Sequence, residues 1–297
     1  MGKALSEAFA VARAVFEEVD DALAQGLSRL IDNGPEAELT LTENAQPALM
    51  ATSLAVVRVV ESEGGFKLAE RAAFVAGHSL GEYSALAAAG SLPVAEAARL
   101  LKLRGQAMQQ AVAVGAGAMC ALLGADLDQA RAVAAEAADG EVCDIANDNA
   151  PGQVVLSGAA AAIERAIRIA KDKGIKRAIL LPVSAPFHSA MMAPAAKVMA
   201  EALARTTIAP PAPPLIANVT AQPVTVPETI RRSLVEQVTA MVRWRESVLT
   251  MKDHDVDLLV ELGAGKVLGN LARRIDPALG GMSVETPAEV EALLKIL

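Results

Sequence analysis

Residues 75–90 read VAGHSLGEYSALAAAG, and the fold class turns on this stretch. Its apolar lead-in, Phe74 to Ala76, has the character of the end of a buried strand, while Leu80 to Ala89 is an alanine-rich helix closed by Gly90. Ser79 sits on the corner between them. Gly77-His78-Ser79-Leu80-Gly81 matches the G-x-S-x-G elbow, in which glycines permit a tight strand-to-helix turn that holds a serine hydroxyl in the open. The amide of Leu80 would then point from a helix N-terminus at a developing oxyanion. Ser79 is read as an activated nucleophile.

A serine hydroxyl needs a base, and the chain has three histidines. His78 adjoins Ser79 and is expected to project away from the corner. His254 lies in the charged run Lys252-Asp253-His254-Asp255, where a solvated side chain is the default. His188 lies in Ser184-Ala185-Pro186-Phe187-His188-Ser189, a loop just after an apolar strand, where functional side chains are often displayed. The next helix begins close by, which favours the neutral imidazole a base requires. His188 is the favoured base. A third feature lies on the helix expected from Pro93 to Val114, whose apolar stripe is Ala97, Leu100, Leu101, Ala107, Met108 and Ala111. Arg104 falls inside that stripe, where an unpaired guanidinium is costly, so it needs an anion. A buried salt bridge to an internal Asp or Glu and a bidentate clamp on a substrate carboxylate fit the pattern equally well.

Working outward, Lys3 to about Leu30 and Pro47 to Glu63 read as helical, separated by an Asn33-Gly34-Pro35 turn. Strand Ala72 to Ala76, the Ser79 corner and two helices follow, as pieces of an α/β fold with a parallel sheet. Between Gly117 and Val183 the rhythm changes: strand Ala118–Leu123, helix Leu127–Ala138, strands Val142–Ala146 and Gln153–Ser157, helix Ala161–Lys173, strand Arg177–Val183. The order βαββαβ is that of the ferredoxin-like module, inserted into the larger domain. Beyond it are strand Leu215–Asn218, helices Pro227–Met241 and Trp244–Met251, strand Leu258–Leu262 and helix Lys266–Arg274. The expected division is 1–115 with 186–297, and 116–185. Doubly wound chains commonly open on a strand, whereas this one enters on helices, which suggests a missing leading strand.

Composition narrows the function. The 297 residues carry a formal net charge of −8, with only five Phe, one Trp and one Tyr, which argues against a groove for a polyanion with stacking aromatics. No nucleic-acid partner is expected. Hydrophobic residues reach 53%, the excess being mostly alanine, and no apolar run approaches the roughly 18 residues of a membrane span. Residues 2–25 lack the apolar block of a signal peptide, and Cys120 and Cys143 fit neither a disulfide framework nor a metal spacing. A cytoplasmic protein with reduced thiols and no membrane partner is expected. Basic residues cluster at Arg165 to Arg177 and at Lys266, Arg273 and Arg274.

Taken together, Gln46-Pro47-Ala48-Leu49, GHSLGEYSALAAAG, Leu103-Arg104-Gly105, Asn149-Ala150-Pro151-Gly152-Gln153, PVSAPFH at 182–188 and Gly265-Lys266-Val267-Leu268 resemble the malonyl-CoA:acyl carrier protein transacylases of bacterial type II fatty-acid synthesis. The resemblance spans the chain. It implies an α/β-hydrolase-like core with a ferredoxin-like insert, malonyl-CoA as substrate with no cofactor, acyl carrier protein as partner, and a monomer. It implies Ser79 as the residue that takes malonyl as an ester, His188 as base and then acid, and Arg104 as the grip on the free malonyl carboxylate. It assigns the orientation of His188 to the main-chain carbonyl of Gln237, so an alanine at 237 is expected to be mild. Asn149 would line the cleft, and Phe187 would leave little room for an α-methyl group. Where the chain departs from the resemblance is its start: family members open with a hydrophobic strand ending in Gly-Gln-Gly-Ser-Gln, which supplies a second oxyanion donor. The expectation is an upstream start or an impaired enzyme. Alternatives are a thioesterase of the α/β-hydrolase type, whose Ser, acid, His order fits poorly here, a scaffold that holds carrier protein without turnover, and an acyltransferase of a polyketide or malonate decarboxylase system.

Overall fold

Alanine- and valine-rich segments with few helix breakers occupy the first third of the chain, and they fold as a layer of helices. The computed structural model describes residues 1–297. Its helices α1 (Lys3–Ala8), α2 (Ala10–Leu23), α3 (Leu27–Asn33), α4 (Glu36–Leu39), α5 (Thr42–Gly64) and α6 (Leu68–Arg71) precede the Ser79 corner, and α7 (Gly81–Ala88) and α8 (Val94–Gln110) follow it. The single helix expected over residues 3–30 is three, because Phe9 adopts extended backbone and Ala24 a left-handed one. Helix α5 starts five residues before Pro47, earlier than expected, and carries the proline inside it. Helices α2, α5 and α8 bury Val15, Val19, Met50, Leu54, Val56, Leu100 and Leu101 in the largest apolar cluster of the protein.

The next segment forms β1 (Gly117–Leu123), α9 (Leu127–Ala138), β2 (Cys143–Ala150), β3 (Gln153–Ala159), α10 (Ala160–Asp172) and β4 (Arg177–Leu180). Its four strands pair antiparallel in the order β2-β3-β1-β4. Alternation along β1 separates two faces. Cys120 and Leu122 point into a cluster with Val133, Leu156 and Ile163 under α9 and α10, whereas Met119 and Ala121 join Ala146 and Val155 on the opposite face, where Phe187 packs. Strand β2 runs four residues further than expected, through the turn-like composition Asn147-Asp148-Asn149. Partners outside its own sheet hold that extension: Asp148 donates its amide to the Val242 carbonyl at 3.0 Å, and Val242 donates to Ala146 at 2.8 Å. The buried Asp148 carboxylate takes a bidentate grip from Arg245, with Nη2 at 2.7 Å and Nε at 3.0 Å.

The chain then returns to the larger layer through a 3-10 turn at Ala190–Met192, α11 (Ala193–Arg205), β5 (Leu215–Ile216), β6 (Pro223–Val224), α12 (Pro227–Gln237), α13 (Trp244–Asp253), β7 (Leu258–Leu262), α14 (Val267–Ile275), β8 (Gly280–Val284) and α15 (Pro287–Leu294). The pairs β5-β6 and β7-β8 are separate, antiparallel and parallel respectively. The strand expected at Ala72–Ala76 is a correction: the segment makes a single parallel bridge, Val75 to Leu215, with Val75 N–H donating to Pro214 and Ile216 N–H to Val75. One bridged neighbour makes no ladder. Helix α12 stops at Gln237, four residues short of expectation, and leaves the Gln237 carbonyl without a backbone partner.

Two glycines set the site's geometry. A Cβ on Gly77 would lie 1.9 Å from the Gly81 carbonyl oxygen, so the first elbow position admits no side chain, whereas one on Gly81 would meet nothing within 4 Å. A Cβ on Gly105 would lie 2.4 Å from Glu43 Cα, because α8 crosses the start of α5 at backbone contact. That crossing brings Arg104 to Gln46. Gly105→Ala is therefore expected to lower the free energy of unfolding by about 1–3 kcal/mol, read by chemical denaturation; an unchanged midpoint would show that the crossing opens freely.

Candidate active site

The elbow holds Ser79 at φ 53°, a left-handed conformation that a non-glycine residue adopts only where its surroundings enforce it. Asn218, just after β5, supplies the enforcement. Its Oδ1 accepts the Ser79 amide at 2.8 Å and its Nδ2 donates to the Gly77 carbonyl at 2.8 Å, so one buried amide pins both sides of the corner. The Leu80 amide has no intramolecular acceptor and remains available to an oxyanion.

His188, also left-handed at φ 55°, brings Nε2 to 2.8 Å from Ser79 Oγ. Its Nδ1 lies 2.8 Å from the Gln237 carbonyl. That carbonyl is free because α12 ends there, and as a pure acceptor it requires the proton on Nδ1, leaving Nε2 with the lone pair that faces the serine. Burial pushes the His188 pKa down to about 3, reinforced by the Arg104 guanidinium and opposed by the Gln237 carbonyl. The other two histidines are elsewhere. His78 is turned away from the corner, with Nε2 2.8 Å from Asn149 Oδ1 and its ring against Trp244. His254 is exposed, with Nδ1 on the Thr250 carbonyl.

Arg104 is almost wholly buried, and no carboxylate lies within salt-bridge distance of it. Its Nη1 donates to Gln46 Oε1 at 2.8 Å, and Nη2 donates to Gln237 Oε1 at 2.8 Å and to Ser79 Oγ at 3.1 Å. The Tyr83 ring lies 5.9 Å from the guanidinium. Of the two readings open in the sequence, the internal salt bridge is not formed: a buried cation faces the nucleophile through neutral partners alone. Desolvation lowers its pKa.

An acyl transferase domain model matches residues 1–274. The malonyl CoA-acyl carrier protein transacylase of Bacillus subtilis is 41% identical over 298 residues, covering 100% of this chain and 92% of the relative. The chain belongs to this family. A crystal structure of the acyl-carrier-protein S-malonyltransferase of Bartonella henselae is similar at a TM-score of 0.97 and 53% identity, covering 100% of this chain and 94% of that one. A malonyl-transacylase solved in complex with a type II polyketide acyl carrier protein is 40% identical with a TM-score of 0.95, covering 99% and 94%.

Within this transacylase-family site, the structure gathers Ser79, Leu80, His188, Arg104 and Gln237, and it sets Asn149 against the His78 imidazole, with no bond to Ser79. Phe187 precedes His188 and wedges between the main core and the Met119–Val155 face. Gln237 is more than a main-chain acceptor. Its side-chain Nε2 donates to the Ser79 carbonyl at 2.9 Å and to Glu82 Oε2 at 2.6 Å, while Oε1 takes Arg104. The premise behind a mild Gln237→Ala, that only the main chain is used, is corrected by these side-chain bonds. Sequence reasoning also missed Asn218 and Glu82. The signal for Glu82 was present: at helical spacing it shares a stripe with Ala85, Leu86 and Ala89, so its carboxylate stands on an apolar face.

Two outcomes follow from this geometry. Because a depressed imidazole pKa keeps the neutral form down to about pH 3, labelling of Ser79 by a neutral sulfonyl fluoride should hold steady as pH falls from 7.5 to 5. A descending limb centred on the ordinary imidazole value would contradict the burial argument. For Gln237→Ala, loss of a hydrogen bond to a buried cation should lower kcat/KM by roughly ten- to a hundredfold; a near-wild-type value in steady-state kinetics would return the residue to a main-chain role alone.

Proposed function

We propose that the protein transfers the malonyl group of malonyl-CoA to the phosphopantetheine thiol of acyl carrier protein through a malonyl-Ser79 ester, supplying fatty-acid synthesis. One observation carries the reading: a buried guanidinium with no carboxylate partner lies 3.1 Å from the serine hydroxyl. A thioesterase for uncharged acyl groups has no use for such a cation beside its nucleophile, whereas malonyl ends in a carboxylate two carbons from the carbonyl under attack. The names of the relatives support the same donor and acceptor.

Ser79 Oγ attacks the thioester carbonyl while His188 Nε2 takes its proton, and the Leu80 amide receives the developing oxyanion. The imidazolium then returns the proton to the departing CoA sulfur. In the second half, the carrier thiol gives its proton to His188 and attacks the ester, and Ser79 recovers a proton as it leaves, so both half-reactions share one site and ping-pong kinetics follow. Substrate charge assists the base. With a carboxylate on Arg104, the positive field that depresses His188 is offset, and the imidazole becomes more basic when a proton must be accepted. The chemistry uses no cofactor.

The division of the chain supports this reading. The unit 116–185, with β2-β3-β1-β4 order, is taken as the ferredoxin-like insert, and residues 1–115 with 186–297 as the α/β-hydrolase-like core. Their facing surfaces meet at Phe187, whose ring would crowd an α-substituent on the acyl group. The protein is read as cytoplasmic and monomeric; no helix is long and apolar enough to cross a membrane.

Intact-mass measurement after mixing with malonyl-CoA tests the assignment. A malonyl adduct is expected on the wild-type chain and absent from Ser79→Ala, and Arg104→Ala should lose the preference for malonyl over acetyl while still accepting acetyl. A mutant that remained selective for malonyl would remove Arg104 from the carboxylate.

A further inference from the structure

Glu82 lies on the first turn of α7, three residues past the nucleophile, and is wholly buried. It forms no salt bridge, and while Oε2 accepts the short bond from Gln237, Oε1 has no partner. Buried carboxylates in this condition are rare and costly. Across the pocket, Arg104 is equally short of a partner, its Nε unpaired. The cation and the anion do not touch. They are joined through one side chain, Arg104 Nη2 to Gln237 Oε1 at 2.8 Å and Gln237 Nε2 to Glu82 Oε2 at 2.6 Å.

The polarity of that link is forced. A guanidinium only donates and a carboxylate only accepts, so the Gln237 amide must turn its oxygen to Arg104 and its nitrogen to Glu82. A direct Arg–Glu ion pair would occupy the fork that a substrate carboxylate needs. The interposed amide keeps the countercharge nearby while the guanidinium holds only neutral oxygens, of Gln46, Gln237 and Ser79, which a substrate carboxylate can displace. We propose that Glu82 is a positioning residue of the acyl-transfer site: through the Gln237 amide it aims the Arg104 guanidinium at the Ser79 hydroxyl and serves as that cation's countercharge until the carboxylate of the acyl group replaces it. This rests on the reading that Arg104 binds the acyl carboxylate.

The electrostatics give the exchange a direction. Burial pushes the Glu82 pKa up to about 7, opposed by the Gln237 hydrogen bond, then by the Asn218 backbone and by the Arg104 charge. A substrate carboxylate on Arg104 cancels that opposing pull and adds a second negative charge, so Glu82 takes a proton from solvent as malonyl loads. The ionisable groups that face it are Arg104 from α8 and, beside it on α7, Tyr83, whose buried phenol is pushed well above its ordinary range and stays neutral. His188 faces Arg104 from the other side and stays neutral above about pH 3. Helix α12 contributes an amide, and α5 and β5, also packed on α7, contribute no charge to its titration.

The test is single-turnover loading by malonyl-CoA and by acetyl-CoA, followed by intact mass from pH 6 to 8.5 and expressed as the malonyl-to-acetyl rate ratio, which cancels effects common to both donors. In the wild type the ratio should rise at least about threefold as pH falls through 7, because protonated Glu82 no longer competes for Arg104. Glu82→Gln keeps an acceptor for Gln237 without the charge, so its ratio should stay within about twofold of wild type at pH 7 and lose the pH dependence. Glu82→Ala removes acceptor and charge and should lower the ratio about tenfold. A ratio flat with pH in the wild type, or a folded Glu82→Ala with an unchanged ratio, overturns the proposal; if the alanine variant does not fold, the wild-type and glutamine profiles decide. Arg104→Ala run alongside separates the two failures. If it keeps malonyl preference, the carboxylate reading itself falls; if it loses preference while the Glu82 series shows nothing, only the role of Glu82 falls.

Discussion

A guanidinium buried without a carboxylate in contact is the constraint around which the rest of this site is arranged. In a low-dielectric interior such a charge is costly unless its donors find oxygens, and here the oxygens on Nη1 and Nη2 are amides and a serine hydroxyl, with Nε alone unpaired. Gln46 comes from α5, Ser79 from the elbow and Gln237 from the end of α12, so three separate elements must be in place before Arg104 is satisfied. The α5–α8 crossing at Gly105 and the early end of α12 are local details that serve this one charge. What it still lacks is an anion: beside the nucleophile stands a cation held by neutral oxygens alone.

Gln237 couples the two halves of the chemistry. Its carbonyl, released by the end of a helix, fixes the tautomer of His188, and its side chain holds Arg104 and the Ser79 carbonyl. A displacement of the α12 terminus would therefore disturb the base, the nucleophile and the acyl grip together. Asn218 performs a comparable service at the elbow, holding both sides of a corner whose backbone is strained at Ser79. Strain of this kind persists only where surrounding bonds over-determine it.

The β2-β3-β1-β4 unit keeps most of its apolar surface for its own helices, yet it meets the larger layer through several contacts, two of them of contrasting character. One is the Phe187 contact beside the catalytic histidine; the other is the Asp148–Arg245 pair, which fastens an extension of β2 to α13. Asn149 belongs to the same extension and supports His78. The residue next to the nucleophile is thus supported by a segment some seventy residues away in sequence.

Much of this was legible in the chain. Short apolar runs in β1 and β3, helical stripes in α8 and α10, and a glycine-flanked serine at a change of period are local signals, and the corresponding elements lie where the pattern puts them to within four residues. Arg104 declared itself by standing on an apolar face, and Glu82 could have done so by the same argument. Ladder formation was not legible at Ala72–Ala76, because a strand exists only if a neighbour pairs with it, nor was the length of β2, because Val242 and Arg245 hold its polar end from a distant segment. The choice between an internal salt bridge and a cation without a carboxylate partner was undecidable from periodicity, which gives direction but not partner. Only the folded chain, by ending α12 at Gln237 and setting its amide between Arg104 and Glu82, separated the two buried charges, since their distance depends on how three helices pack and not on the residues within any one of them.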